Sequence, residues 1–165
     1  MAVFGGDITE FIDKAACECL NVHADHKLDS IFEGGPEFIK SDTDHELLLK
    51  VAFRQPIKLS GIGLVSTPDE EDEMPAEVRI FQGKPSIGFA EGEEEASVQD
   101  LNFTKDNLAG GEVLPVRFVK FQNVSTLQLY FKDNAGGAQT ILNQIKFMGE
   151  PAEKMDMKDW KPIKG

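Results

Sequence analysis

Apolar and polar residues alternate through the middle of the chain with the two-residue period of half-buried strands. Leu47, Leu49, Val51 and Phe53 interleave with Glu46, Lys50 and Arg54, which gives one apolar and one more polar face. Pro56 has no N–H to donate to a ladder and predicts a break, after which Ile57–Val65 resumes as the next strand. Glu77–Gln82 reads as a short strand closed by Gly83-Lys84-Pro85, and Ala96–Phe103 as another. The run Leu114-Pro115-Val116-Arg117-Phe118-Val119-Lys120-Phe121-Gln122-Asn123-Val124 concentrates β-branched and aromatic residues, closes at an Asn turn and restarts as Thr126–Phe131. It predicts strands back to back at Val113–Gln122 and Ser125–Asp133. Asn134-Ala135-Gly136-Gly137 then predicts a hairpin-like turn into Thr140–Met148.

The period changes at the N-terminus. Asp7-Ile8-Thr9-Glu10 has the form of a capping box, and Ile8, Phe11, Ile12, Ala15 and Ala16 fall on one face of a helix that Cys19 would extend. Leu20–Asp44 shows no sustained period and predicts a loop with short turns or strand pieces. From Gly149 the chain turns polar, a tail with Trp160 as its anchor. Turn signals at such short intervals between strands predict an all-β sandwich with a short N-terminal helix, one domain over 1–165 with its core at 6–149.

At 165 residues, 41% hydrophobic and 28% charged, the chain can bury a core without disulfides or metal. The net charge of -12, from 29 acidic and 17 basic residues, repels phosphate backbones and anionic membranes and favours basic protein surfaces. Nucleic acid and membrane are not expected as partners. Met1–Asp7 lacks a signal peptide's basic segment and apolar run, Ala2 is not a myristoylation glycine, and the end Lys161–Gly165 holds no prenylation cysteine. Cys17 and Cys19 are therefore expected as reduced thiols in cytosol or nucleus, and the glycosylation patterns at Asn102 and Asn123 carry no meaning there.

Chemistry has few places to reside. Cys17, Cys19, His23, His26 and His45 include zinc-ligand types, but Cys17-Glu18-Cys19 leaves one residue between thiols where zinc knuckles leave two to four. On a helix the two would point apart; in an extended segment they would face the same way and chelation becomes possible. A thioredoxin-type role fails on the spacing, on the pair's place at a helix C-terminal end and on the like charge of Glu18. Asp42-Thr43-Asp44-His45-Glu46 lacks the glycine and ligand spacing of an EF-hand loop. No nucleophile elbow, Walker loop or dinucleotide fingerprint is present, so no catalytic residue, metal or cofactor is assigned. Asp69, Glu70, Glu71, Asp72 and Glu73, with a second run at Glu91–Glu95, are either solvated loops or an electrostatic handle for a basic partner.

Three blocks in order carry a resemblance. Phe11-Ile12-Asp13-Lys14 with Cys17-Glu18-Cys19-Leu20-Asn21, then Leu47–Leu59, then Pro115–Val124 resemble the PITH domain, the proteasome-interacting thioredoxin-like C-terminal module, over about Gly6 to Trp160. The resemblance implies a galactose-binding-like jelly roll, no catalytic residues, and a monomeric protein-interaction module docking on the 26S proteasome regulatory particle or a similar assembly. The family's thioredoxin-like member has a thioredoxin domain upstream; this chain looks like the stand-alone form and carries no Cys-x-x-Cys. Asp69–Glu73 is the expected partner-binding segment. Arg117, Lys120 and Lys146 fit a docking face or the polar sides of strands equally well. Two other readings remain: a carbohydrate-binding module, for which Trp160 and Tyr130 are the available aromatic platforms, and a Cys/His metal or redox protein.

Overall fold

The computed structural model describes residues 3–84 and 86–152. Among them the chain forms ten strands: β1 (Gly6–Asp7), β2 (Glu18–Leu20), β3 (Ile39–Lys40), β4 (Leu47–Val65), β5 (Glu77–Gln82), β6 (Gln99–Asn102), β7 (Val113–Pro115), β8 (Val124–Phe131), β9 (Ile141–Leu142) and β10 (Gln144–Pro151). Short helices α1 (Ser30–Glu33), α2 (Phe89–Glu94) and α3 (Lys105–Gly110) lie between them. None is long and apolar enough to cross a membrane.

The 19-residue β4 is common to both halves of the fold. Its first half pairs with β2 at Leu48–Lys50 and with β8 at Leu47–Ala52. Its second half pairs with β10 from Ile57 to Val65 and with β7 at Gly61–Gly63. The resulting antiparallel sheet runs β1-β10-β4-β8-β5-β6 and curls over one apolar interior, with β3 and β9 as a separate pair. Leu47, Leu49, Val51, Ile57 and Leu59 fill that interior with Phe121, Leu127 and Phe147. Leu48, Phe81 and Tyr130 face the other way, and Ile87 and Phe89 cover them as a small second cluster.

Several expectations change here. Pro56 does not end the strand; it marks where β4 exchanges neighbours, since pairing with β8 shifts register between Ala52 and Ile57 just where β10 takes over. Pro56 still contributes its carbonyl, which accepts from Ala152 N at 3.0 Å. The N-terminal helix does not form. Two 3-10 turns, Thr9–Phe11 and Lys14–Ala16, stand in its place, followed by β2. Asp7 Oδ1 accepts from Thr9 N at 2.8 Å, a turn two residues long rather than a helix cap, and Ile8 N and Asp13 N donate to Phe147 O and Ala52 O. Bonds to the sheet have replaced the helical ladder, yet Ile8, Phe11 and Ile12 are buried as the stripe predicts.

The Val113–Gln122 strand is only three residues long and pairs with β4, not with β8. Close approach explains the partner: a Cβ on Gly61 would stand 2.5 Å from Val113 Cγ1, so only glycine admits β7 there. After Pro115 the chain leaves the sheet for a 3-10 turn at Phe118–Lys120. Asn134–Gly137 likewise closes no hairpin. Asn134 Nδ2 donates to Gly137 O and Gln139 O at 3.0 Å, directing the chain into β9, which joins β3, and then β10, which joins β4. The Glu91–Glu95 run is helical through Glu94, and the strand expected over Ala96–Phe103 is confined to Gln99–Asn102. Trp160 lies outside the described residues.

Candidate docking surfaces

The first acidic run sits just ahead of β5. Asp69, Glu70, Glu71 and Asp72 are exposed and Glu73 half-buried, with Glu71–Glu73 wound as a 3-10 turn. Backbone ties hold the segment: Gly137 N donates to Asp72 O at 2.8 Å, Ala135 N to Met74 O at 2.9 Å, and Pro75 bridges Asn134. Met74 anchors it from below at 9% exposure. One carboxylate is engaged, Glu71 with Lys105 Nζ at 2.6 Å, and the ammonium's hydrogen bond holds that carboxyl below its ordinary range. Both partners are well exposed, so the pair adds little to stability. The loop thus presents a fixed cluster of negative charge at one end of β5.

The second acidic run is largely occupied within the molecule. Glu91 Oε1 accepts from Gly88 N at 3.0 Å, Glu95 meets Lys84 at 2.5 Å, and Glu93 meets Lys132 at 3.6 Å. Arg79 closes the C-terminal end of α2, donating to Gly92 O, Glu93 O and Glu95 O at 2.6, 2.9 and 2.9 Å. Beneath the helix, Tyr130 donates to Glu46 Oε1, and Glu93 Oε2 lies 3.1 Å from the same hydroxyl. Burial, with two carboxylates beside the hydroxyl, pushes the phenol well above its ordinary value of 10.0. At 1% exposure Tyr130 is a packing residue and offers no platform for a sugar ring.

At the opposite end of β5 the 3-10 turn forms a tip. Arg117, Phe118, Val119 and Lys120 are all exposed, Phe118 at 41% and Val119 at 70%, between the buried anchors Val116 and Phe121. The tip is held from several sides. Arg117 N donates to Gln99 Oε1 at 2.8 Å, Gln122 Nε2 to Phe118 O at 2.6 Å, and Gln82 Nε2 to Lys120 O. Phe118 stacks edge-on against Phe4 at 5.4 Å. Ser60 fixes both sides: its hydroxyl accepts from Phe4 N at 3.1 Å and its carbonyl from Val116 N at 3.0 Å. Beside the tip lies an open hollow of about 270 Å³ lined by Gln82, Gly83, Lys84, Asn123, Ser125 and Thr126. Phe118 and Val119 read as strand residues by composition; the signal available was an apolar pair enclosed by two cations shortly after a proline. Lys146 belongs to β10, away from the tip, with its ammonium 3.0 Å from where a Gly111 Cβ would sit.

The thiols and imidazoles do not converge into a three-residue metal group among the described residues. Cys17 and Cys19 do lie in extended chain, the arrangement that turns both thiols one way. Each packs on the core instead. Cys17 Sγ donates to Asp13 O at 3.3 Å and accepts from Ala52 N at 3.4 Å. Burial pushes the Cys17 thiol up and takes Cys19 to about 12, so neither is poised as a thiolate. His26 stacks between His23 and Phe38, while His45 Nε2 donates to Lys132 O at 3.0 Å. Asp44 Oδ1 is occupied by Asn21 Nδ2 at 2.8 Å and Glu46 N at 2.9 Å, a turn rather than a cation cradle.

The family model described as "PITH domain" matches residues 4–165. Thioredoxin-like protein 1 of Schizosaccharomyces pombe is 29% identical over 146 residues, covering 85% of this chain and 50% of that protein. PITH domain-containing protein 1 is 32% identical in Xenopus laevis, over 86% of this chain and 69% of that protein, and 28% identical in Homo sapiens, over 86% and 68%. The chain therefore spans half of the first relative and just over two thirds of the others. Among solved structures, the family 32 CBM from C. perfringens NanJ in complex with galactose superposes with a TM-score of 0.64 at 11% identity, covering 87% of this chain and 98% of that one. CBM32-3 from a family 31 glycoside hydrolase of Clostridium perfringens gives 0.60 at 14%, over 86% and 97%. Identities this low establish the galactose-binding-like jelly roll and nothing about ligands.

Proposed function

The chain belongs to the PITH domain family, and from that premise we propose that it is a non-catalytic protein-interaction module that docks on the regulatory particle of the 26S proteasome. The observation that carries the reading is the Asp69–Glu73 segment: carboxylates on a loop fixed by backbone bonds, four of the five exposed, at one end of β5, in a chain of net charge -12. Such a cluster attracts a basic surface over a Debye length of about 8–10 Å and raises the association rate more than the final affinity.

Immobilised 26S proteasome, probed with the purified chain at rising salt, tests this directly. Binding is expected at low salt, with an on-rate that falls as salt rises and that drops likewise when Asp69, Glu70, Asp72 and Glu73 are replaced by their amides. Undetectable binding even at low salt removes the proteasome from the proposal. Salt-insensitive binding that survives the amide replacements removes the acidic segment.

A further inference from the structure

We propose that the Arg117–Lys120 tip is the anchoring surface of this module, and that it takes a partner segment with carboxylates beside an apolar side chain. The inference rests on the protein-docking reading and adds a contact surface and the chemistry of what it contacts.

Exposed apolar side chains combined with unpaired cations, rather than missing ion pairs alone, select the tip. Arg79, Lys84, Lys105 and Lys132 are each matched to an acidic side chain. Arg117 and Lys120 have no such partner among the described residues, although the chain carries 29 acidic groups against 17 basic ones. Arg117 stands at the N-terminal end of the 3-10 turn and Lys120 is its last residue, so the two cations flank the exposed pair in the chain. Between them stand Phe118 and Val119, two of the few large apolar side chains exposed among the described residues. An apolar pair flanked by two unmatched cations complements an apolar side chain flanked by carboxylates.

Rigidity makes the tip fit for this role. Its hydrogen bonds to Gln82, Gln99 and Gln122, and the Phe4 stack, are already made, so little ordering remains to oppose binding. The adjoining hollow along Asn123 and Thr126 offers room for the incoming chain. The tip and the acidic segment lie at opposite ends of β5, whose six residues span roughly 20 Å. Division of labour follows: the acidic end governs encounter and the apolar tip governs residence. An anionic membrane would meet four exposed tip residues backed by a molecule of net charge -12, so a protein segment fits better.

The test uses the full chain with three probes: a labelled peptide alternating Glu with Leu and Phe, the same peptide with Lys in place of Glu, and vesicles of equimolar phosphatidylserine and phosphatidylcholine. Wild type is expected to bind the Glu peptide, with amide shifts concentrated at residues 117–126 and 82–84. Val119→Asp and Lys120→Glu change exposed side chains and should unfold like wild type, while each weakens the Glu peptide by about tenfold or more. Absence of Glu-peptide binding, equal binding by both variants, preference for the Lys peptide, or Val119-dependent binding to vesicles alone overturns the proposal. Parallel runs on immobilised proteasome separate the two readings. A wild-type dissociation rate for Val119→Asp sinks the tip and leaves proteasome docking intact. Glu-peptide binding at the tip without proteasome binding sinks the proteasome and leaves the tip.

Discussion

Alkaline titration should unfold the sheet rather than ionise Tyr130 within it. The phenol is 1% exposed under α2 and faces Glu46 and Glu93 together, so a native phenolate would be buried against two carboxylates. In the unfolded chain it ionises near its ordinary 10.0. Above that pH the unfolded state binds fewer protons than the native one, and stability must fall as pH rises. The slope is about 1.4 kcal/mol per pH unit, or about 2.7 kcal/mol two units above the ordinary value. Set against a typical domain stability of roughly 5–15 kcal/mol, that is a large loss from one hydroxyl. The chain contains a single tyrosine, so the tyrosinate absorbance band reports this group alone. Absorbance and circular dichroism should therefore change together, at a pH above 10.0. Tyr130→Phe should cost about 1.5–3 kcal/mol at neutral pH by removing a charge-assisted hydrogen bond, and the wild-type advantage should shrink as pH climbs. A reversible absorbance titration centred at 10.0 with unchanged circular dichroism would refute the reasoning.

Three further outcomes are expected. Gly61→Ala should destabilise by about 1–3 kcal/mol through collision with Val113, and Val113→Ala in the same chain should recover part of that loss, a coupling read from denaturant midpoints. Arg79→Ala should cost about 2–3 kcal/mol and speed amide exchange through residues 89–95, because three carbonyls at the end of α2 lose a charged donor; unchanged exchange there would show the helix held by packing alone. Cys17 and Cys19 should react slowly with a thiol reagent at neutral pH and rapidly after denaturation, since burial holds both protonated; fast reaction of the folded chain would contradict this.

Alternation made the long strands legible. The face of Leu47, Leu49, Val51 and Phe53 is buried as the period requires, and Glu77–Gln82 has the bounds its flanking turns suggest. The errors fall where a local rule met a tertiary bond. The capping-box residues at Asp7–Glu10 were taken up by a short turn and by a hydrogen bond to β10, and Asp13 bonds to β4 just beyond them. Pro56 obeyed the rule that proline cannot donate, but a strand changing partners can spare that donor. Strand partners were less legible than strands, because β7, β8 and β10 all converge on β4, a fact set by long-range packing rather than by the turns between them. The acidic segment was visible as composition. The tip was hidden because a β-rich composition looks the same whether Phe118 and Val119 pack inward or stand in solvent.

The pairing of Gly6 with Gly149 in β1 and β10 has a consequence for how the module can be carried. Near the two ends of the described fold the chain is thus held one strand spacing apart, roughly 4.7–4.9 Å at Gly6 and Gly149. The entering chain passes Phe4, which rests on Phe118. A segment joined ahead of Phe4 starts beside the tip. A reporter or catalytic domain fused there would be held at high local concentration over anything the tip engages. A long flexible linker would dilute that effect, and a short one would turn docking into delivery.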